Sequence, residues 1–269
     1  MRTFPPEIYE RVIDFCVDLD SESREVLCNL ALTGRAWKSR AQIHLYSRVY
    51  LESEHQLRKF SATVQRHPAF ALHVRELQLS GRYTHTERKD GSEDYWMYYA
   101  AVHLPLLPSL RKITLRYLPV AGARSFMVFA QFRKFSAVEE LWLVSPRTLH
   151  SGDLGRILSS FPQLKQLSIT QSKLTYINTF STPSPYPHAC SQLSSLCLDT
   201  PLQASSGPMS DILRWFSECP DINFANLSCT QSRVGQHHNA LCELFRNCGR
   251  HLKQLNLEWP PCHDDTEPG

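Results

Sequence analysis

A six-residue pattern of aliphatic and polar positions, Leu164-Lys165-Gln166-Leu167-Ser168-Ile169, recurs almost unchanged as Leu252-Lys253-Gln254-Leu255-Asn256-Leu257. Looser copies carry aliphatics at Val74, Leu77 and Leu79, at Leu110, Ile113 and Leu115, at Val138, Leu141 and Leu143, and at Leu193, Leu196 and Leu198. Phe224, Leu227 and Cys229 make the weakest copy. The central aliphatic falls at 77, 113, 141, 167, 196, 227 and 255, in steps of 36, 28, 26, 29, 31 and 28 residues. Its alternation with polar neighbours is the period of a strand with one buried face. Between copies the spacing becomes helical, as in Leu154, Ile157, Leu158 and Phe161, in Ile212, Leu213, Phe216 and Cys219, and in Ala240, Leu241, Leu244, Phe245 and Cys248. Phe126, Phe129 and Ala130 suggest a further helix before the third copy. Short strands alternating with helices at such a period predict stacked units around a parallel sheet, each unable to bury its apolar face alone. The expected fold class is therefore α/β, with strands on the inner wall and helices on the outer one.

Ahead of the copies, residues 1–50 read as a helical domain. Pro5 and Pro6 suit a first helical turn, where no amide donor is needed, and Glu7 complements the helix dipole. Ile8, Val12, Phe15 and Cys16 then form an apolar stripe. A polar break at 18–23 precedes a second helix with Val26, Leu27, Leu30 and Ala31 on one face. Beyond Gly34 a third segment carries Trp37, Ala41 and Leu45. Residues 51–73 predict a linking helix: Ser53-Glu54-His55-Gln56 has the form of a capping box, Leu57, Phe60 and Val64 follow, and Pro68 ends it. Residues 74–260 hold the repeats, and 261–269 form a disordered tail. That tail has no helical period, so the last repeat, about residues 237–257, is expected to be the least protected.

The repeated pattern, over about residues 70–260, resembles the leucine-rich repeat, which implies a solenoid with a curved parallel sheet. The asparagine common after each strand of that family is absent; Pro146, Pro201 and Pro260 stand there in three copies and Ser172 and Ser232 in two, so an irregular arc is expected. Insertions at 81–99 and 179–188 interrupt the period; the first has a charged half followed by Tyr95, Trp96, Tyr98 and Tyr99, and the second, rich in Pro and Ser, reads as a loop. The N-terminal set, Phe4-Pro5-Pro6-Glu7-Ile8, Val12-Ile13, Leu30-Ala31-Leu32 and Trp37, resembles an F-box, with Phe4 and Cys16 where the family usually has leucine. The stretch Ala31-Leu32-Thr33-Gly34-Arg35-Ala36-Trp37 is similar to F-box proteins of mushroom-forming fungi. The pairing implies a substrate receptor of a cullin–RING ubiquitin ligase. Phe4, Pro5, Ile8, Val12, Ile13, Leu30 and Trp37 would bind the ligase's small helical adaptor, and the repeats would hold a target protein. The alternative is a protein-binding scaffold unrelated to ubiquitin, its first helices merely capping the repeats.

Period-two alternation predicts three rows of outward side chains across the strands. One row begins Glu76, Lys112, Glu140, whose alternating sign suits cross-strand pairing. Trp142 is the large aromatic among small and polar neighbours, able to anchor a partner or to shield the sheet. Arg116 would meet an acidic partner or be solvated. Arg116, Trp142 and Val144 are thus the expected target contacts. The 29 basic and 26 acidic residues leave a formal charge of +3, too slight to point to nucleic acid or membrane. No phosphate-binding loop, His-Glu-x-x-His or Gly-x-Ser-x-Gly motif is present, and Cys242, Cys248 and His251 lack zinc spacing. Cys190 and Cys197, six apart, lack it too, and His237-His238 reads as a solvated turn opening a helix. Neither catalysis, metal nor cofactor is expected. An odd count of nine cysteines and a first segment without an apolar signal core fit a reducing, cytoplasmic or nuclear setting.

Overall fold

A computed structural model describes residues 5–17, 23–81, 96–118, 129–146, 151–170, 191–199, 207–219, 222–230 and 238–258. Within them eight strands form one parallel sheet in chain order: β1 (Arg48–Leu51), β2 (Glu76–Ser80), β3 (Lys112–Arg116), β4 (Glu140–Val144), β5 (Gln166–Thr170), β6 (Ser195–Asp199), β7 (Asn226–Thr230) and β8 (Gln254–Glu258). Seven strands coincide with the seven aliphatic copies. The register never slips: Val49, Leu77, Ile113, Leu141, Leu167, Leu196, Leu227 and Leu255 face one another across the whole sheet. From Leu77 to Leu227 these side chains are 2% exposed or less. Slipping one strand by a single residue would carry its aliphatics to the open face, so burial fixes the register.

β1 departs from the expectation that residues 1–50 are helical throughout. Three helices, α1 (Pro6–Val17), α2 (Ser23–Thr33) and α3 (Arg35–Ser47), precede it, and α3 runs into β1 without a linker. The Ser47 carbonyl accepts from the Arg75 amide at 2.9 Å, and Tyr46 stacks on Phe70 with centroids 4.2 Å apart. The boundary expected at 50 therefore falls inside the sheet.

The helix α4 (Glu54–Arg66) follows, capped by Ser53, whose hydroxyl accepts from the Gln56 amide at 3.3 Å. The Gln56 side chain returns the bond to the Glu52 amide at 2.7 Å, one residue before the position a capping box uses. α5 (Trp96–His103), α6 (Ser151–Ser159), α7 (Gly207–Ser217) and α8 (His238–Cys248) cover the sheet further along. The end of the first insertion is thus helical. Trp96, Met97, Ala100, Ala101 and Leu104 are all buried, a helical spacing that the charged first half of the insertion obscures. Residues 82–95, 121–128, 179–188 and 261–269, which carry most of that insertion, Phe126, the second insertion and the tail, lie outside the described residues.

Two devices satisfy backbone groups at the strand ends and beside the core. Tyr117 and Ser145, directly after β3 and β4, adopt left-handed φ values of 54° and 49°. Their amides prolong the ladder by one bond, Tyr117 to the Val144 carbonyl at 2.9 Å and Ser145 to the Thr170 carbonyl at 2.6 Å. On the covered side, side chains donate to carbonyls of neighbouring units. Ser61 reaches His103 at 2.9 Å, Lys134 reaches Leu104 at 2.6 Å, Ser160 reaches Phe129 at 2.8 Å and Asn247 reaches Ser217 at 2.7 Å. Each satisfies a backbone acceptor that would otherwise be costly beside the core.

Candidate functional site

Aliphatics of the strands turn to the helices, so the residues between them form the open face. β1 lengthens its first row at one end, giving Arg48, Glu76, Lys112 and Glu140 in register. Pairing takes the form of Arg48 Nε to Glu76 Oε1 at 3.5 Å and Lys112 Nζ to Glu140 Oε2 at 3.9 Å. Beside this row the open face of β1–β4 holds a concavity of about 280 Å³. Arg116, Trp142 and Val144, the three expected target contacts, line it together.

Trp142 is not freely exposed. It is half-buried, with the Lys112 ammonium 4.2 Å from its ring centroid. Ser168, its neighbour on β5, is only 3% exposed despite facing the open side. The indole therefore lines the concavity while helping to cover the sheet beside it. Its Nε1 is shut off from solvent and has no hydrogen-bond partner, and the same holds for Nε of Arg116. Two shielded donors without acceptors at one place are unusual, since buried polar groups are nearly always paired. Sequence reasoning missed the contribution of β1, which brings Arg48 and Tyr50 to the concavity, Tyr50 being 45% exposed. The available signal was Val49-Tyr50-Leu51, placed 28 residues before Leu77.

The helical unit divides the expected adaptor residues into two groups. Ile13 is fully buried with Leu27 and Ala41, and Leu30, Ala31, Trp37 and Leu45 pack against them. Trp37 also meets Tyr9 edge-on at 4.7 Å. Ile13 thus belongs to the core of this unit, and Leu30 and Trp37 are partly buried against it. Pro5, Ile8 and Val12 are exposed, the last two at 45% and 42%. Phe15, on the same stripe, is 67% exposed, and Val26 and Leu32 on α2 add 40% and 85%. Phe4 lies outside the described residues. Opposite the stripe, Asp14 accepts two bonds from Arg40 at 2.8 Å and one contact with His44 at 2.7 Å. The Arg40 guanidinium holds the Asp14 carboxyl at a pKa of about 2, below the usual carboxylate range.

At the junction of this unit with the sheet lies a second concavity of about 320 Å³, lined by Arg40, His44, Arg48, His73 and Arg75, with Glu76 among them. Among the described residues no group of three or more His, Cys, Asp or Glu is placed to hold a metal. Cys229 and Cys248 are buried; burial first, and Cys197 second, push the Cys229 thiol up to about 12. Cys242 is half-buried, Cys190 and His237 lie outside the described residues, and His238 opens α8. No helix among the described residues is long and apolar enough to cross a membrane. Comparison with known proteins gives no match, either to a family model or to a curated sequence.

Proposed function

We propose that the chain is an F-box substrate receptor of a cullin–RING ubiquitin ligase, built from an F-box-like unit and an irregular leucine-rich-repeat solenoid. The observation that carries this reading is the exposed stripe of Ile8, Val12 and Phe15 on a helical unit whose own core is already complete without them. Among the described residues, five of the eleven exposed large apolar side chains fall on α1 and α2, a concentration that suits a docking surface. The receptor does no chemistry of its own: it holds a target near a ubiquitin-charged enzyme and so raises their effective concentration. Target docking falls to the open face of β1–β4, through Arg116, Trp142 and Val144.

A scaffold unrelated to ubiquitin is the second reading. It is favoured by the continuity of α3 with β1 and by the Tyr46–Phe70 stack, which make the helical unit a cap for the first strand. Capture of the purified small helical adaptor separates the two. Burial of each aliphatic is worth roughly 1.5–3 kcal/mol, so Ile8→Asp with Val12→Asp is expected to abolish capture while leaving the fold intact. Equal capture by wild type and variant, or by neither, would sink the receptor reading.

A further inference from the structure

Arg116 and Trp142, over β3 and β4, define what the open-face concavity takes. Trp142 stands opposite Thr114 and Arg116 opposite Val144, so their Cα atoms lie one strand over and two residues along. Sheet spacings make that diagonal about 8 Å, within which an arginine and an indole can reach one ligand. A guanidinium donates and cannot accept, so Arg116 takes an acceptor. Charge narrows the choice. Arg48 and Lys112 are engaged by Glu76 and Glu140, which sets three cations, with Arg116, against two carboxylates and leaves one positive charge. Arg116 is the lining cation without an ion-pair partner among the described residues.

We propose that this concavity binds a carboxylate, the side chain of a Glu or Asp within a segment of the target protein. The inference rests on the reading of the open face as the target surface. The Arg116 guanidinium donates to the carboxylate through its terminal nitrogens, which are not among the shielded atoms, while the Trp142 ring, Val144 and Tyr50 receive the flanking apolar residue. A phosphate group carries about −1.5 to −2 at neutral pH and would exceed the single charge waiting for it. A volume of about 280 Å³ holds one side chain rather than a whole small-molecule ligand. The adjoining junction, with Arg75 and His73, extends the positive field along the approach and favours an acidic segment.

The test is a titration of the full chain followed by ¹⁵N NMR at the Trp142 indole and Arg116 Nε–H signals, assigned through Trp142→Phe and Arg116→Gln. The probes are blocked tripeptides: Leu-Glu-Leu, Leu-Gln-Leu and Leu-phosphoserine-Leu. The Glu peptide is expected to move both signals, and the Gln peptide to bind about tenfold or more weakly, as for loss of a charge-assisted pair. Arg116→Gln is expected to lose binding with a dispersed spectrum retained. Arg116→Lys keeps the charge without the planar guanidinium fork and is expected to bind about threefold or more weakly, so it carries the test should Arg116→Gln fail to fold. Equal binding of the Glu and Gln peptides, tighter binding of the phosphoserine peptide, unchanged affinity in Arg116→Lys, or shifts confined to the junction would each overturn the proposal. The adaptor takes no part in this measurement. Adaptor capture without a peptide response therefore sinks the carboxylate site alone, and a peptide response without adaptor capture sinks the receptor reading alone.

Discussion

Lys112 holds its ammonium 4.2 Å from the centroid of the Trp142 ring, across the seam between β3 and β4. The same ammonium lies 3.9 Å from Glu140, so it is shared between a carboxylate and an aromatic face. A cation placed over an indole at a partly exposed site contributes about 0.5–1 kcal/mol. A double-mutant cycle of Lys112→Met and Trp142→Leu, read by urea denaturation, is expected to return a coupling of that size. Additivity within about 0.3 kcal/mol would mean that the two side chains are merely neighbours.

Ile13 and Phe15 are two residues apart on α1 and face opposite fates, one fully buried and the other 67% exposed. Ile13→Ala is expected to cost the helical unit about 2–5 kcal/mol, the range for a large aliphatic removed from a core. Phe15→Ser is expected to stay within about 0.5 kcal/mol of wild type, as surface changes do. Denaturation followed at the Trp37 indole, which packs on this core, reads both. Similar destabilisation in the two variants would mean that the stripe is not a free surface.

The seven later strands were legible because each carries an aliphatic or phenylalanine three residues before its central aliphatic, as Val74 stands before Leu77. At β1 the corresponding position is Tyr46, still within α3, so the copy was disguised by the helix that runs into it. The rows of the open face followed from alternation alone, and with them the grouping of Arg116, Trp142 and Val144. What alternation cannot carry is the state of the donors: the shielding of Arg116 Nε and Trp142 Nε1 depends on how side chains settle around them. Nor can it choose between Val12 and Ile13, adjacent apolar residues about 100° apart around a helix. Ala41 on α3 decides that choice, because a small residue there admits the larger Ile13 into the core.

Gly81 closes β2 where two neighbours crowd it. Its amide donates to the Arg116 carbonyl at 3.0 Å, and a Cβ placed on it would meet the Tyr117 carbonyl oxygen at 2.8 Å and the Met97 sulfur at 3.0 Å. The sulfur ends a flexible side chain and can move; the carbonyl belongs to a left-handed residue held in the ladder and cannot move freely. Gly81→Ala is therefore expected to cost about 1–3 kcal/mol, as overpacking does, and to lower the melting temperature. An unchanged melting temperature would show that the strand ends are loose.

Asp14 makes the helical unit sensitive to acid. Its folded pKa, about 2, lies below its ordinary value of 3.8, with the Arg40 bonds as the main cause. The stability it contributes is present above the ordinary value and is lost as pH falls from there through the folded value. Both partners are about two-fifths exposed, so solvent screens the pair and the effect is modest. Asp14→Asn is expected to be less stable than wild type at pH 5 and to converge with it towards pH 2. A difference that stays constant over that window would assign the loss to geometry instead of charge.

Within the described sheet β8 pairs with β7 alone, whereas β5 lies between β4 and β6. Leu255 on β8 is 45% exposed, and its register equivalent on β5, Leu167, is fully buried. An amide opens to exchange with a free energy set by the local packing that opening disrupts, and β8 has less apolar packing to disrupt. Leu257 is partly buried against the main core, so the strand is held at one point rather than two. Hydrogen exchange is accordingly expected to be faster at residues 255–257 than at residues 167–169. The contrast should narrow if a partner chain pairs with the outer edge of β8, since new ladder bonds would protect the same amides. Equal protection in the isolated chain at low concentration would count against an open edge there, because association would then be absent and the exposure of Leu255 would have no consequence for opening.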